Sequence, residues 1–235
     1  MTSRQPSFYL QALAIATTAV ILLVVALPRL LAQAPLAAGM IPAGKEPEAV
    51  TADAVGRAIS AAEWASALHA GSRDNHRALA DMLLVRFQQQ VDARNLEEAL
   101  PTLHLAEQAL IAGLSQAPAA PDMWLSLARL RSLSAPPDIQ AMRYMANSYL
   151  TGPRESWMSP QRLPFALSHW DRLTPAIQDA VRRELRDQTA EGLARLALGR
   201  SPLVVDMIKE EIATRPEPVR KDFERARRRI DKGVL

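Results

Sequence analysis

From Thr51 onward the chain alternates apolar stretches of helical period with short breaks, and nowhere in that region does apolar–polar alternation of period two take over. The segments "TADAVGRAISAAEWASALHAG", "RDNHRALADMLLVRFQQQ" and "LEEALPTLHLAEQALIAGL" each predict an amphipathic helix. In the second, Leu79, Met82, Leu83, Arg86 and Phe87 follow helical spacing, with Arg86 the polar break. Three further starts are marked by Ser159-Pro160, Thr174-Pro175 and Ser201-Pro202, each a hydroxyl at the expected N-cap followed by a proline at the first helical position. Leu163, Leu167, Trp170 and Leu173 then form one stripe, and Ile177, Val181 and Leu185 form another. Gly199 falls where a C-terminal cap belongs. "LVVDMI" at 203–208 has strand-like composition, but its Ser-Pro start and the following "KEEIA" predict a helix.

Residues 8–27, "FYLQALAIATTAVILLVVAL", carry no charge and at helical rise cover about 30 Å, the thickness of a bilayer core. They predict a transmembrane anchor within a tail-and-anchor segment, 1–32. A signal peptide cut after Ala34 is the competing reading. The apolar run is long for a cleaved leader, and Pro35 would follow the cut. Residues 33–50, rich in Ala, Pro and Gly without periodicity, predict a linker, and 51–235 an α-helical repeat-like domain. A short N-terminal tail and a long C-terminal region favour the tail inside. In a bacterium this expects a single-pass inner-membrane protein with a periplasmic domain.

Composition agrees with an all-α fold. The chain is 49% apolar, mostly Ala and Leu, and only 5% aromatic. Its 28 basic and 25 acidic side chains are too balanced to announce a nucleic-acid binder. The absence of cysteine excludes disulfides, thiolate nucleophiles and the commonest zinc frameworks. His69, His76, His104 and His169 lack metal-ligand spacing and read as solvated or capping residues, so no metal and no cofactor is expected.

The stretch "QAPAAPDMWLSLARLR" resembles the tetratricopeptide repeat, a helix-turn-helix with W-x2-L-G near its start. Trp124, Leu127 and Ala128 match its first helix. Ala106, Leu110, Gly113 and Pro118 match the second helix of a preceding unit, and Ala141, Tyr144, Ala146 and Pro153 follow with one-residue adjustments. The matched region is 106–153. The resemblance implies stacked helical hairpins with a partner-binding surface, here around Trp124, Arg129 and Tyr144. As a whole, the anchor, the linker, "PDMWLSLAR", "SYLTGPRES" and "FALSHWDRL" resemble small anchored repeat-like proteins encoded with bacterial surface-polysaccharide genes. That resemblance implies a non-enzymatic accessory to exopolysaccharide or O-antigen synthesis or export.

One motif points elsewhere. Glu155, Ser156, Met158 and Pro160 in "GPRESWMSPQ" are similar to the E-S-x-F-x-P signature of lytic transglycosylases, whose glutamate acts as a general acid in an apolar pocket. The glycine-rich segment that follows in that family is missing, and the residues read as a turn instead. Gly152-Pro153 would end one helix, Trp157 would pack back on it, and Ser159-Pro160 would start the next.

The terminal helix at 217–232 carries Val219, Phe223, Ala226 and Ile230 on one face, with Arg220, Lys221, Arg225 and Arg228 among the cations elsewhere. It reads as a capping helix or as a patch for an acidic glycan, anionic lipid or acidic protein. Nucleic acid is not expected, because no aromatic side chains are interleaved. The expected function is a membrane-anchored adaptor for protein partners of an envelope complex. A lytic enzyme using Glu155 and a cytoplasm-facing scaffold are the alternatives.

Overall fold

The computed structural model describes residues 51–134 and 139–233. The expected anchor at 8–27 and the linker at 33–50 lie outside these residues. Among the described residues every regular element is helical, and no helix is long and apolar enough to cross a membrane. The chain divides into two compact units, with the division between Pro118 and Ala119.

The first unit contains α1 (Ala52–Leu68), α2 (Arg73–Asp92) and α3 (Leu96–Gln116). Each begins at a side-chain cap: Thr51 accepts from the Ala54 N–H, Ser72 from Asn75 and Asn95 from Glu98. The α1–α2 turn is pinned by the buried Asn75, whose amide donates to the Ala65 carbonyl at 2.9 Å. Small residues set the packing of neighbouring helices. Ala58, Ala62 and Ala65 of α1, Ala80 and Leu83 of α2, and Ala99, Leu103, Ala106 and Leu110 of α3 are all buried. The face expected on α2 is thus only half right, since Leu79, Met82 and Phe87 remain partly exposed and Arg86 is exposed. The close, Ala-lined packing turns Ala80 and Leu83 inward instead. At the end of α2, Arg94 adopts φ 59, the left-handed conformation that glycine usually supplies at this position.

The second unit contains α4 (Pro121–Ser134), α5 (Ile139–Thr151), α6 (Ser159–Ser168), α7 (Pro175–Arg186), α8 (Ala190–Ala197), α9 (Pro202–Ala213) and α10 (Glu217–Asp231). Short 3₁₀ turns, Ser156–Met158 and Trp170–Arg172, precede and follow α6. The stripes expected from spacing form the core: Leu163, Leu167, Trp170, Leu173, Ile177, Val181 and Leu185 are buried in one cluster with Leu193, Ile208 and Phe223. The segment 203–208 is helical. The prolines do sit in the first turn at α6, α7 and α9, but the hydroxyls before them do not cap. Thr174 and Ser201 make no side-chain cap hydrogen bond, and Ser159 lies inside α6, its hydroxyl drawn away by a stronger acceptor. Gly199, at φ +64, follows the end of α8 rather than of one long helix begun at Thr174. The chain breaks at 187–189 and restarts at the Thr189 cap.

The 106–153 frame is shared between the units, with Ala106, Leu110 and Gly113 buried in the first and Leu127, Ala128 and Ala141 in the second. α4 and α5 pack on each other. Within that pair the half-buried rings of Trp124 and Tyr144 lie 5.7 Å apart, tilted by 31°.

Candidate functional site

The stretch 152–161 folds as a turn between α5 and α6. Glu155 is exposed and accepts the Trp157 indole N–H at 2.6 Å. Trp157 is 57% exposed, so it does not pack back on α5 as expected. Met158 takes the inward position instead, at 1% exposure, because the 3₁₀ turn rotates the two side chains to opposite sides. A general acid of the lytic kind needs an apolar pocket around its carboxyl group. Glu155 has solvent and one indole.

Beneath this turn lies a polar cluster that the motif does not announce. Arg162 of α6, 1% exposed, meets Glu184 of α7 through Nε at 3.1 Å and Nη2 at 3.1 Å. Tyr149 of α5 donates its hydroxyl to the same carboxylate at 2.6 Å, and Ser159 donates to the other oxygen at 2.5 Å. The Arg162 guanidinium also lies 4.2 Å above the Tyr149 ring. Its Nη1 donates to the Gly152 carbonyl at 2.8 Å and to that of Ser148 at 3.4 Å, so one side chain satisfies the open C-terminal end of α5 and neutralises a buried carboxylate. Burial, followed by the adjacent Glu184 charge, pushes the Tyr149 hydroxyl far above its ordinary range and fixes it as a donor.

A cavity of about 470 Å³ opens beside the cluster, lined by Pro153, Arg154, Ser156, Arg183 and Asp187 as well as Ser159, Arg162 and Glu184. Both Glu184 oxygens are already occupied by donors, so the carboxylate is committed to joining α5, α6 and α7 rather than to proton transfer. Sequence offered one signal for it. Ser159 and Arg162 fall on the apolar stripe of α6, and Glu184 falls between Val181 and Leu185 on that of α7.

The remaining candidates are dispersed. Arg129 is exposed on α4, and Trp124 and Tyr144 are engaged with each other in the α4–α5 pair. Arg220, Lys221, Arg225 and Arg228 are all exposed on α10, whose Phe223 and Ala226 are buried in the core. Three of the four histidines make local side-chain contacts, and His69 caps the end of α1 through its backbone N–H to the Ala65 carbonyl. His76 contacts the Ala70 carbonyl at 2.9 Å, His104 meets the Gln108 amide at 3.0 Å, and His169 contacts the Phe165 carbonyl at 2.8 Å. Among the described residues no group of three His, Asp or Glu is placed to hold a metal ion.

No protein-family model, no curated protein and no solved structure matches this chain.

Proposed function

We propose that the chain is a non-enzymatic adaptor of the bacterial envelope. In this reading residues 8–27 anchor it in the inner membrane, residues 33–50 act as a spacer, and the helical units stand in the periplasm and hold protein components of a surface-polysaccharide machine. The observation that carries the proposal is the build of α10, which buries Phe223 and Ala226 and turns Arg220, Lys221, Arg225 and Arg228 outward. An amphipathic helix docked by its apolar face leaves its charged face in solvent, open to a partner.

Alkaline phosphatase fused after Leu235 tests the placement, and a photo-crosslinking amino acid at position 220 or 129 tests the contacts. High phosphatase activity with residues 8–27 retained, and crosslinks to envelope proteins, are expected. An inactive fusion would put the helices in the cytoplasm and overturn the periplasmic role. The lytic alternative is checked on peptidoglycan, where muropeptide release abolished by Glu155→Gln would replace the adaptor with an enzyme.

A further inference from the structure

The cations of α10 are arranged in a line. Lys221, Arg225, Arg228 and Lys232 follow one another at spacings of four, three and four, directly opposite the inward row Val219, Phe223, Ala226 and Ile230. At helical rise the row extends about 16 Å. All four side chains are exposed.

This row borders two clefts. One, of about 770 Å³, follows the seam where α8 packs on α10 and is lined by Arg225, Arg228, Arg229 and Lys232 against the carboxylates of Glu191 and Asp222. The other, of about 720 Å³, lies along α10 itself and shares Arg225 and Arg228, adding Arg220 and Lys221 against Glu217 and Glu224. Much of the acidic charge is spoken for. Glu191 pairs with Arg195 at 2.8 Å and Arg229 at 3.9 Å, Glu217 with Lys221 at 2.6 Å, and Asp222 with Arg225. Arg220, Arg228 and Lys232 have no carboxylate partner among the described residues, and Arg228 belongs to both clefts.

We propose that the α8–α10 cleft binds a linear acidic polysaccharide, whose carboxylates run along Arg225, Arg228 and Lys232 and continue onto Lys221 in the adjoining cleft. This inference rests on the polysaccharide-associated reading above. Cations spread along a groove suit a chain with repeating anionic groups better than one small ion, which would need them to converge. The walls also argue for a hydrophilic occupant. No aromatic side chain lines either cleft, so nucleic-acid bases have no stacking surface. No large apolar side chain lines them either, so a protein partner could touch the charged rim of α10 but has no anchor to bury inside the clefts. Phe223 and Ala226 of α10 are buried in the core and cannot enter a lipid bilayer.

The test uses the purified full-length chain in detergent micelles and a polygalacturonate oligosaccharide as probe, with titration calorimetry as the readout. Saturable binding that weakens with added salt is expected, with no binding to a neutral galactan. Arg225→Glu/Arg228→Glu should lower affinity roughly tenfold or more, and Arg228→Gln should lower it less. Arg57→Glu, an exposed residue of α1, should leave it unchanged. Circular dichroism confirms that each variant stays helical. Polygalacturonate binding that is absent, or that Arg57→Glu weakens as much as the α10 variants do, overturns the proposal. So does binding confined to phosphatidylglycerol vesicles, which would make α10 a membrane-surface contact. Envelope crosslinks without glycan binding would leave the adaptor standing and remove only this ligand.

Discussion

Arg162 and Glu184 are separated by 22 residues in sequence and joined in the interior by parallel hydrogen bonds, Nε to Oε2 and Nη2 to Oε1, each 3.1 Å long. Both are nearly inaccessible to water, at 1% and 7% exposure. A buried pair of this kind specifies which helices meet, and its worth depends on both members being present. Arg162→Met should destabilise the second unit by about 3–5 kcal/mol, because Glu184 would remain buried without its counter-charge. The double variant Arg162→Met/Glu184→Leu should recover much of that loss. Urea denaturation of the wild type, Arg162→Met, Glu184→Leu and the double variant gives the coupling, and additive losses would contradict the pairing.

Tyr149 ties stability to alkaline pH. Its folded-state pKa is raised by burial and by Glu184, while an unfolded tyrosine titrates at about 10. The folded chain therefore holds a proton that the unfolded chain releases at high pH. The contribution is complete below about pH 10 and is lost as pH rises above it. Denaturation midpoints measured from pH 8 to 11 should fall more steeply for the wild type than for Tyr149→Phe.

Gly152 is required by proximity rather than by a left-handed backbone. A Cβ there would stand 2.6 Å from the ring of Pro121 and 2.9 Å from Glu155 Cγ. Gly152→Ala should cost about 1–3 kcal/mol through overpacking. Pro121→Ala in the same chain should relieve part of it, which thermal denaturation of the single and double variants would reveal.

Two sites hold stability in reserve. The Ser148 hydroxyl is fully buried and has no hydrogen-bond partner. Ser148→Ala should therefore be neutral or stabilising by up to about 1 kcal/mol. Arg94 at φ 59 carries a side chain where a glycine fits without steric penalty, and Arg94→Gly should raise stability by about 0.5–1 kcal/mol. A lower midpoint in either variant would show that the side chain contributes something its geometry does not.

Much of the fold was legible because helices announce themselves locally. The Pro residues at positions 160, 175 and 202 marked three first turns, and the stripes through Leu163, Leu167, Val181 and Leu185 identified core-facing sides. The reading failed where a second helix supplied the deciding contact. Ser159 looked like a cap and instead serves Glu184, while Trp157 looked like a packing residue and stands outside with Glu155.

The sequence alone determined that the region is helical and, for the helices from Ser159 to Arg186, which side is apolar, since both follow from spacing along one chain; the inward face of α2 and the break at 187–189 did not follow from it. It also put the cations of α10 on faces other than its apolar one, because that too is a property of a single helix. Tertiary structure decided everything that needs two helices: that Arg162 and Glu184 neutralise one another, that α8 and α10 enclose a cleft, and that Glu155 is left at the surface. The physical reason is that an isolated charge on an apolar stripe costs free energy to bury, so the same residue is a defect or an anchor according to what packs against it.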